Sequence, residues 1–232
     1  MAEVDVGNLS TIKLISHLDA ADLDGLAKAC GWRSYSAHEQ IIDRQSDTRD
    51  VFFVVAGRVR VVNYSISGRE ITLDDVEVGG HFGELAAIDG EPRSASVMAL
   101  VDSQLAVLPQ ERFLQLVEDH PGVGLKVMRN LTAIVRIATE RIMDLSTLAA
   151  NNRVQAEMLR LAVPDQDDEN RAVITPIPVH GDVASRVSTT RETVARVMND
   201  LSRKGIVERQ KQAMVILDVE QLRQMVEEVR GD

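Results

Sequence analysis

Cysteine is almost missing from this chain of 232 residues; Cys30 is the single one. One thiol excludes an intrachain disulfide, a cysteine-only zinc site and an iron–sulfur cage. Cys30 closes an apolar helical stretch and is expected in the core. No apolar run approaches the roughly 20 residues that span a bilayer. The first residues, Met1-Ala-Glu-Val-Asp, carry acid where a secretory leader carries base. A cytoplasmic protein with no membrane partner is expected. There is no P-loop, no Ser/His/Asp arrangement and no metal-ligand spacing, and the five histidines are scattered. An enzyme is not expected, nor a metal. Low-complexity tracts and internal repeats are absent too. What is present, 44% hydrophobic and 27% charged residues, is the composition of an ordinary folded protein, long enough for one large domain or two small ones.

Along the chain the hydrophobic period changes twice. In residues 9–29, Leu14, Leu18, Leu23 and Leu26 are spaced for one or two short helices. From 31 to 108, short β-branched runs are punctuated by glycine: Val51-Phe-Phe-Val-Val, Gly57, Arg58-Val-Arg-Val-Val, Gly68, Ile71-Thr-Leu, Gly79-Gly80, Ser96-Val-Met-Ala-Leu and Leu105-Ala-Val-Leu. Regular short strands with turns between them predict an antiparallel sandwich or barrel. After Gln110 the period becomes helical. Met128, Leu131, Val135, Ala138, Ile142, Leu145 and Ala149 alternate spacings of three and four, the a/d seam of a helix paired with another like itself. An intramolecular partner is the alternative, but no second seam exists in the chain, which favours a parallel homodimer. Asn151-Asn152 follows as a candidate hinge. A helix from Val154 to Ala162, an acidic loop, two short helices and a hairpin-like end complete the pattern.

The net charge is −10, yet His180–Lys211 holds seven basic residues against four acidic ones. Charge alone leaves a solvated surface and a nucleic-acid face equally open. The pattern within 181–203 is more specific. Val183, Ala184 and Val187 are the inward positions of one short helix, Ser188-Thr189 is a turn, and a second helix starts near Thr190. On that second helix Val194, Val197, Met198 and Leu201 share one arc, and Arg191, Glu192, Ala195, Arg196 and Asn199 the opposite one. An Arg fork matches O6 and N7 of guanine, and Glu accepts from N4 of cytosine. Thr190 and Thr193 suit phosphate contacts at the helix start. Gly205-Ile-Val-Glu-Arg and Ala213-Met-Val-Ile-Leu around Gln210-Lys-Gln would form a wing.

Thr190-Arg-Glu-Thr-Val-Ala-Arg resembles the recognition helix of the CRP/FNR family, the relatives of the cyclic-AMP receptor protein. The resemblance implies that Thr190, Arg191, Glu192, Thr193 and Arg196 contact double-stranded operator DNA of the two-fold TGTGA…TCACA type. Ser188 stands where the family usually has glycine in the turn; a left-handed non-glycine there costs about 1–2 kcal/mol.

A second block, Gly83-Glu-Leu-Ala-Ala-Ile-Asp-Gly-Glu-Pro-Arg-Ser-Ala95, sets Glu84 nine residues before Arg93. From charges alone a plain salt bridge accounts for the pair. A cyclic nucleotide offers a sharper match: a carboxylate can accept from its ribose 2′-hydroxyl, and an Arg fork fits its cyclic phosphate. The block resembles the phosphate-binding cassette of cyclic-nucleotide-binding domains. That implies ribose contact by Glu84, phosphate contact by Arg93 and Ser94, close backbone at Gly83, Leu85 and Ala95, and walls for the base at Val61 and Leu73. Aligning back from Arg153 puts the base-reading positions of the long helix, where the cyclic-AMP receptor protein has two hydroxyls, at Ala138 and Thr139. One hydroxyl is missing, so cyclic AMP is expected to be preferred with cyclic GMP also accepted.

The resemblance spans roughly residues 10–217 and implies an α+β chain: a cyclic-nucleotide-binding β-roll, jelly-roll-like, over 1–120, a dimerisation helix and hinge over 121–150, and a winged helix-turn-helix DNA-binding domain over 151–232. The expected function is an allosteric, cyclic-nucleotide-responsive transcription regulator, with RNA polymerase as a further partner by resemblance. Three other readings stay open. A family member can answer to another effector or to none. A haem sensor would need a ligand such as His81 and would leave Glu84 and Arg93 idle. A regulatory subunit acting through protein partners would share the cassette without needing the recognition helix.

Overall fold

The structure is a computed structural model and describes residues 9–230. The chain forms two compact units that divide between Ala133 and Ile134.

In the first unit residues 9–18 form successive turns, with Ile12 N–H bonded to Leu9 O, Ile15 N–H to Ile12 O and Leu18 N–H to Ile15 O. The spacing of Leu14 and Leu18 therefore serves burial rather than a helix; helix α1 is confined to Ala20–Ala29, where the Asp19 carboxylate caps Asp22 N–H at 2.9 Å. Cys30 ends α1 in the core, and burial pushes its thiol up to about 12, which makes it unreactive.

Eight strands follow: β1 (Gly31–Tyr35), β2 (Gln40–Ile42), β3 (Val51–Ala56), β4 (Arg58–Tyr64), β5 (Glu70–Glu77), β6 (His81–Phe82), β7 (Ser96–Ala99) and β8 (Ser103–Leu108), with the short helix α2 (Glu84–Asp89) between β6 and β7. They make two antiparallel four-stranded sheets, ordered β1-β8-β3-β6 and β2-β7-β4-β5. β3 explains its own unbroken hydrophobic run. Phe52 and Val54 join Val59, Phe82, Val97 and Leu105 in one cluster, while Val51 and Phe53 join Phe113, Leu116, Val123 and Val127 in another. A strand buried on both faces needs apolar residues at every position. Helix α3 (Gln110–Asp119) and the start of helix α4 (Pro121–Thr147) supply that second cluster.

The second unit contains the rest of α4, helix α5 (Ala150–Leu161), strands β9 (Val163–Pro164) and β10 (Ala172–Ile174), helices α6 (His180–Arg186) and α7 (Arg191–Arg203), strands β11 (Val207–Arg209) and β12 (Met214–Ile216), and helix α8 (Val219–Arg230). The sheet runs β11-β12-β10-β9, antiparallel throughout. Val154, Met158, Val183, Val187, Val194, Val197, Met198, Leu201 and Ile216 form one core. The hairpin-like end is the β11–β12 wing. Helix α8 was not expected; its inward Leu222 and Val226 sit at helical spacing behind an otherwise charged face.

Asn151-Asn152 do not form the break between helices expected of them as a candidate hinge. Both lie in the first turn of α5, and Asn152 Nδ2 donates to Met225 O at 3.2 Å. The helical run breaks at Leu148–Ala149 instead. Across α4 the seam is exposed: Met128 is 59% exposed, Val135 63% and Ile142 63%.

His81, on β6, titrates in this fold. Burial pulls its imidazole down to about 4 from its usual 6.5. The folded chain thus resists a proton that the unfolded chain accepts, so this contribution to stability is complete above pH 6.5 and is lost as the pH falls toward 4. The expected loss is about 3 kcal/mol over that window. Denaturant unfolding at stepped pH should show it, and His81→Gln should flatten that part of the profile.

Candidate functional site

Gly83 has φ 88°, a conformation natural to glycine. Its backbone also leaves no room: a β-carbon there would come within 2.8 Å of Arg93 Nη1 and 2.9 Å of Asp50 O. The turn delivers Glu84 to the first position of α2 and lets the Gly83 carbonyl accept from Arg93 Nη1 at 2.9 Å. Arg93 Nη2 donates to Asp50 O at 2.8 Å and Nε to Thr48 Oγ1 at 3.2 Å. Its Cζ lies 5.8 Å from the centroid of Phe52, a ring stacked on Phe82 at 5.0 Å. None of these partners is Glu84, so the two charges do not form the plain salt bridge.

A guanidinium has five N–H groups. Three are used, and one N–H is left on each Nη. The cation is 4% exposed and the Glu84 residue 8%. Burial raises the Glu84 carboxyl above its usual range; its own backbone N–H and Arg93 pull it back, and Asp74 pushes it up again. Burial likewise lowers Arg93, opposed by Asp50 and Glu84.

Ser94 and Ala95 continue from Arg93 into β7, Ser94 exposed and Ala95 buried. Asn63 Nδ2 donates to Ser94 O at 3.3 Å and ties β4 to this segment. Val61, on β4, pairs with Val97 and with Asp74. Leu73 is the extra residue of a β-bulge, since Val61 faces Asp74 while Val62 faces Thr72; bulges re-aim side chains, and Leu73 is exposed. Leu85, on α2, is exposed as well. Gly83, Glu84 and Arg93 come together at the start of α2, with Leu85 next on that helix, Ser94 and Ala95 following Arg93, and Val61 and Leu73 on the paired strands β4 and β5. Ala138 and Thr139 belong to the other unit, exposed on α4, where the Thr139 hydroxyl donates to Val135 O at 2.9 Å.

In the second unit α6 and α7 meet through Val187-Ser188-Thr189. Ser188 has φ 52°, so a non-glycine does occupy the left-handed position of the turn. Thr190 caps α7, its hydroxyl accepting from Thr193 N–H at 3.2 Å. Val194, Val197, Met198 and Leu201 are buried, and Arg191, Glu192, Arg196 and Asn199 exposed. Arg196 Nη2 donates to Thr193 Oγ1 at 3.3 Å, so Thr193 serves the helix as well as facing outward. The Glu192 carboxyl is held below its usual range by its own backbone N–H and the Thr190 hydroxyl. Arg186 departs from the basic face: 9% exposed, it lies 3.9 Å from Glu157.

Several residues here escaped sequence reasoning. Gly181 lets α6 pass Arg191; a β-carbon would meet its Nε at 2.9 Å. Arg153 donates to Leu148 O at 2.8 Å, Val187 O at 2.9 Å and Ser188 O at 3.2 Å. Glu157, 1% exposed, faces Arg160 at 3.0 Å and Arg141 at 3.6 Å, and Arg160 also pairs with Asp144. Gly181 and Arg153 carry no local signal, whereas Glu157 and Arg160 stand three apart in α5, a spacing that allows a pair.

Residues 32–120 match the cyclic nucleotide-binding domain, and residues 152–225 the Crp-like helix-turn-helix domain. A cyclic AMP receptor protein of Thermus thermophilus is 32% identical over 159 residues, 68% of this chain and 70% of that protein. The chain belongs to the CRP/FNR family. The cAMP-activated global transcriptional regulator Vfr of Pseudomonas aeruginosa is 28% identical over 202 residues, 84% of this chain and 92% of that one. The solved structure of a CooA mutant from Carboxydothermus hydrogenoformans shares the fold, with TM-score 0.79 at 20% identity over 93% of this chain and 95% of that chain. This CRP/FNR protein is accordingly a transcription regulator, not an enzyme, with a cyclic-nucleotide-binding domain and a DNA-binding helix-turn-helix. No helix among the described residues is long and apolar enough to cross a membrane, and none of their His, Cys, Asp and Glu side chains group as a metal site.

The turn yields a stability test. Ser188→Gly removes the left-handed penalty and should stabilise the chain by about 1 kcal/mol. Ser188→Val should lose more than that, both read from denaturant midpoints.

Proposed function

We propose that this regulator binds cyclic AMP at Glu84 and Arg93 and, as a parallel homodimer, binds a two-fold operator of the TGTGA type. The observation that carries the effector is the Arg93 fork: a buried cation, held by two carbonyls and a hydroxyl, with one N–H left on each Nη. A cyclic phosphate presents one charge and two exocyclic oxygens to such a fork. Glu84, at the start of α2, takes the ribose hydroxyl, Ser94 adds to the phosphate, and Val61 and Leu73 flank the base.

Base choice rests on Thr139. Its proton is spent on Val135 O, so its oxygen is an acceptor, matched to the adenine amino group and not to the guanine carbonyl. Ala138 offers nothing. A single neutral hydrogen bond is worth about 0.5–1.5 kcal/mol, so cyclic AMP is favoured over cyclic GMP by no more than about tenfold.

Residues 1–120 sense the ligand, 121–150 pair two copies through the exposed α4 seam, and 151–232 bind DNA. Ligand binding favours one arrangement of the seam, a population shift that sets the spacing of two α7 helices to the roughly 34–36 Å between successive major grooves. Arg191, Glu192 and Arg196 read base edges, with Thr190 and Thr193 near the phosphates.

Calorimetry with both nucleotides tests the sensor. Arg93→Ala should weaken cyclic AMP at least about a hundredfold, and Thr139→Val should erase the preference over cyclic GMP. A thousandfold preference in the unaltered protein would refute the Thr139 account. For DNA, Arg196→Ala should cost about 1–3 kcal/mol and relax specificity at one base pair. Equal operator affinity with and without nucleotide would remove the switch.

A further inference from the structure

The Nε bond of Arg93 leads out of the cassette into the loop that joins β2 to β3. Thr48 Oγ1 accepts it at 3.2 Å and lies 3.2 Å from Ser46 Oγ, which in turn donates to Asp43 O at 2.8 Å. Each hydroxyl has one proton. Ser46 spends its proton on Asp43 O, so the contact between the two hydroxyls must be donated by Thr48. The bonds then all run one way: Arg93 Nε–H to Thr48, Thr48 O–H to Ser46, Ser46 O–H to the Asp43 carbonyl.

The far end of this relay is fixed. Asp43 O also accepts Ser46 N–H at 2.9 Å, Asp43 Oδ1 accepts Gln45 N–H at 3.0 Å, and Ser96 Oγ accepts Arg44 N–H at 3.1 Å, which joins the turn to β7. Gly83 O and Asp50 O hold the two Nη atoms, while the opposite side of the guanidinium is otherwise held only by its aliphatic stem and the Phe52 ring. The Nε bond supplies the third point and fixes the plane. Donation onward by Thr48 sharpens its oxygen as an acceptor, because chained hydrogen bonds polarise one another.

We propose that Thr48, backed by Ser46, is a positioning residue for Arg93, and that this relay aims the two remaining N–H groups at the ligand's phosphate. The proposal rests on the cassette being the phosphate site. Thr48 is itself exposed on the loop, so its hydroxyl contributes orientation with little share in the core.

The test uses the full chain, titrated with cyclic AMP by calorimetry, together with the hydrogen-exchange rate of the Arg93 Nε–H measured by NMR without ligand and assigned with Arg93→Lys. Thr48→Val should weaken cyclic AMP about three- to tenfold, the worth of one hydrogen bond, with the thermal midpoint unchanged. Thr48→Ser should restore both affinity and slow exchange, and Ser46→Ala should fall between. On an Arg93→Lys background, which lacks the Nε edge, Thr48→Val should cost nothing further, the non-additivity expected of residues acting through one group. Wild-type affinity in Thr48→Val, or the same loss on both backgrounds, would overturn the proposal. A protein that binds no cyclic nucleotide but keeps a protected Nε–H lost in Thr48→Val would overturn the effector reading alone. Fast exchange in the unaltered chain would overturn the relay itself.

Discussion

A positive charge shielded from water, Arg93 at 4% exposure, is the constraint around which the N-terminal unit is arranged. An isolated buried cation is untenable, so the surrounding chain supplies oxygens. The left-handed turn at Gly83 exposes one carbonyl, the end of the β2–β3 loop offers that of Asp50, and Thr48 gives a hydroxyl. These come from two stretches of sequence, residues 48–50 and Gly83, and none is a carboxylate in direct contact. Neutral oxygens satisfy the geometry, while the carboxylates of Asp50 and Glu84 act on the charge without pairing with it. A site built this way keeps its appetite for an anion, which a tight pair with Glu84 would have extinguished.

The sequence reading succeeded where a pattern repeats or where a motif forces backbone shape. The strands of the β-roll and the two faces of α7 were legible, because period and burial agree there; the seam of α4 keeps its period but is exposed. So was the left-handed turn at Ser188. It failed where a side chain's partner lies far along the chain. Nothing around Thr48 announces that it meets Arg93, 45 residues away, and nothing in Arg186 shows that it turns inward. Counting it among basic surface residues overstated the positive face. The turns of residues 9–18 were missed for another reason. Their buried leucines and isoleucines obey a helical spacing by accident, while i to i+3 bonds decide the backbone.

In the second unit an acidic residue plays the part that Arg93 plays in the first. Glu157 is 1% exposed and faces Arg160, Arg141 and Arg186, contributed by α5, α4 and α6. Such an ionic node need not add net stability over an apolar one. What it does is tie three helices to one carboxylate, so a shift of any of them would leave buried charge less well paired.

The three bonds of Arg153 all end on main-chain oxygens, of Leu148 where the helical run breaks and of Val187 and Ser188 in the turn before α7. Main-chain oxygens are common to every amino acid, so the acceptors do not depend on which side chains stand at 148, 187 and 188; those side chains act on the clasp only through the path of the chain, as the left-handed Ser188 does. Mutation can therefore wander through the break and the turn, exchanging glycine for serine or one aliphatic residue for another, without unfastening them from each other. The joint is written in shape rather than in residue identity, and the residue that would end it is the arginine itself.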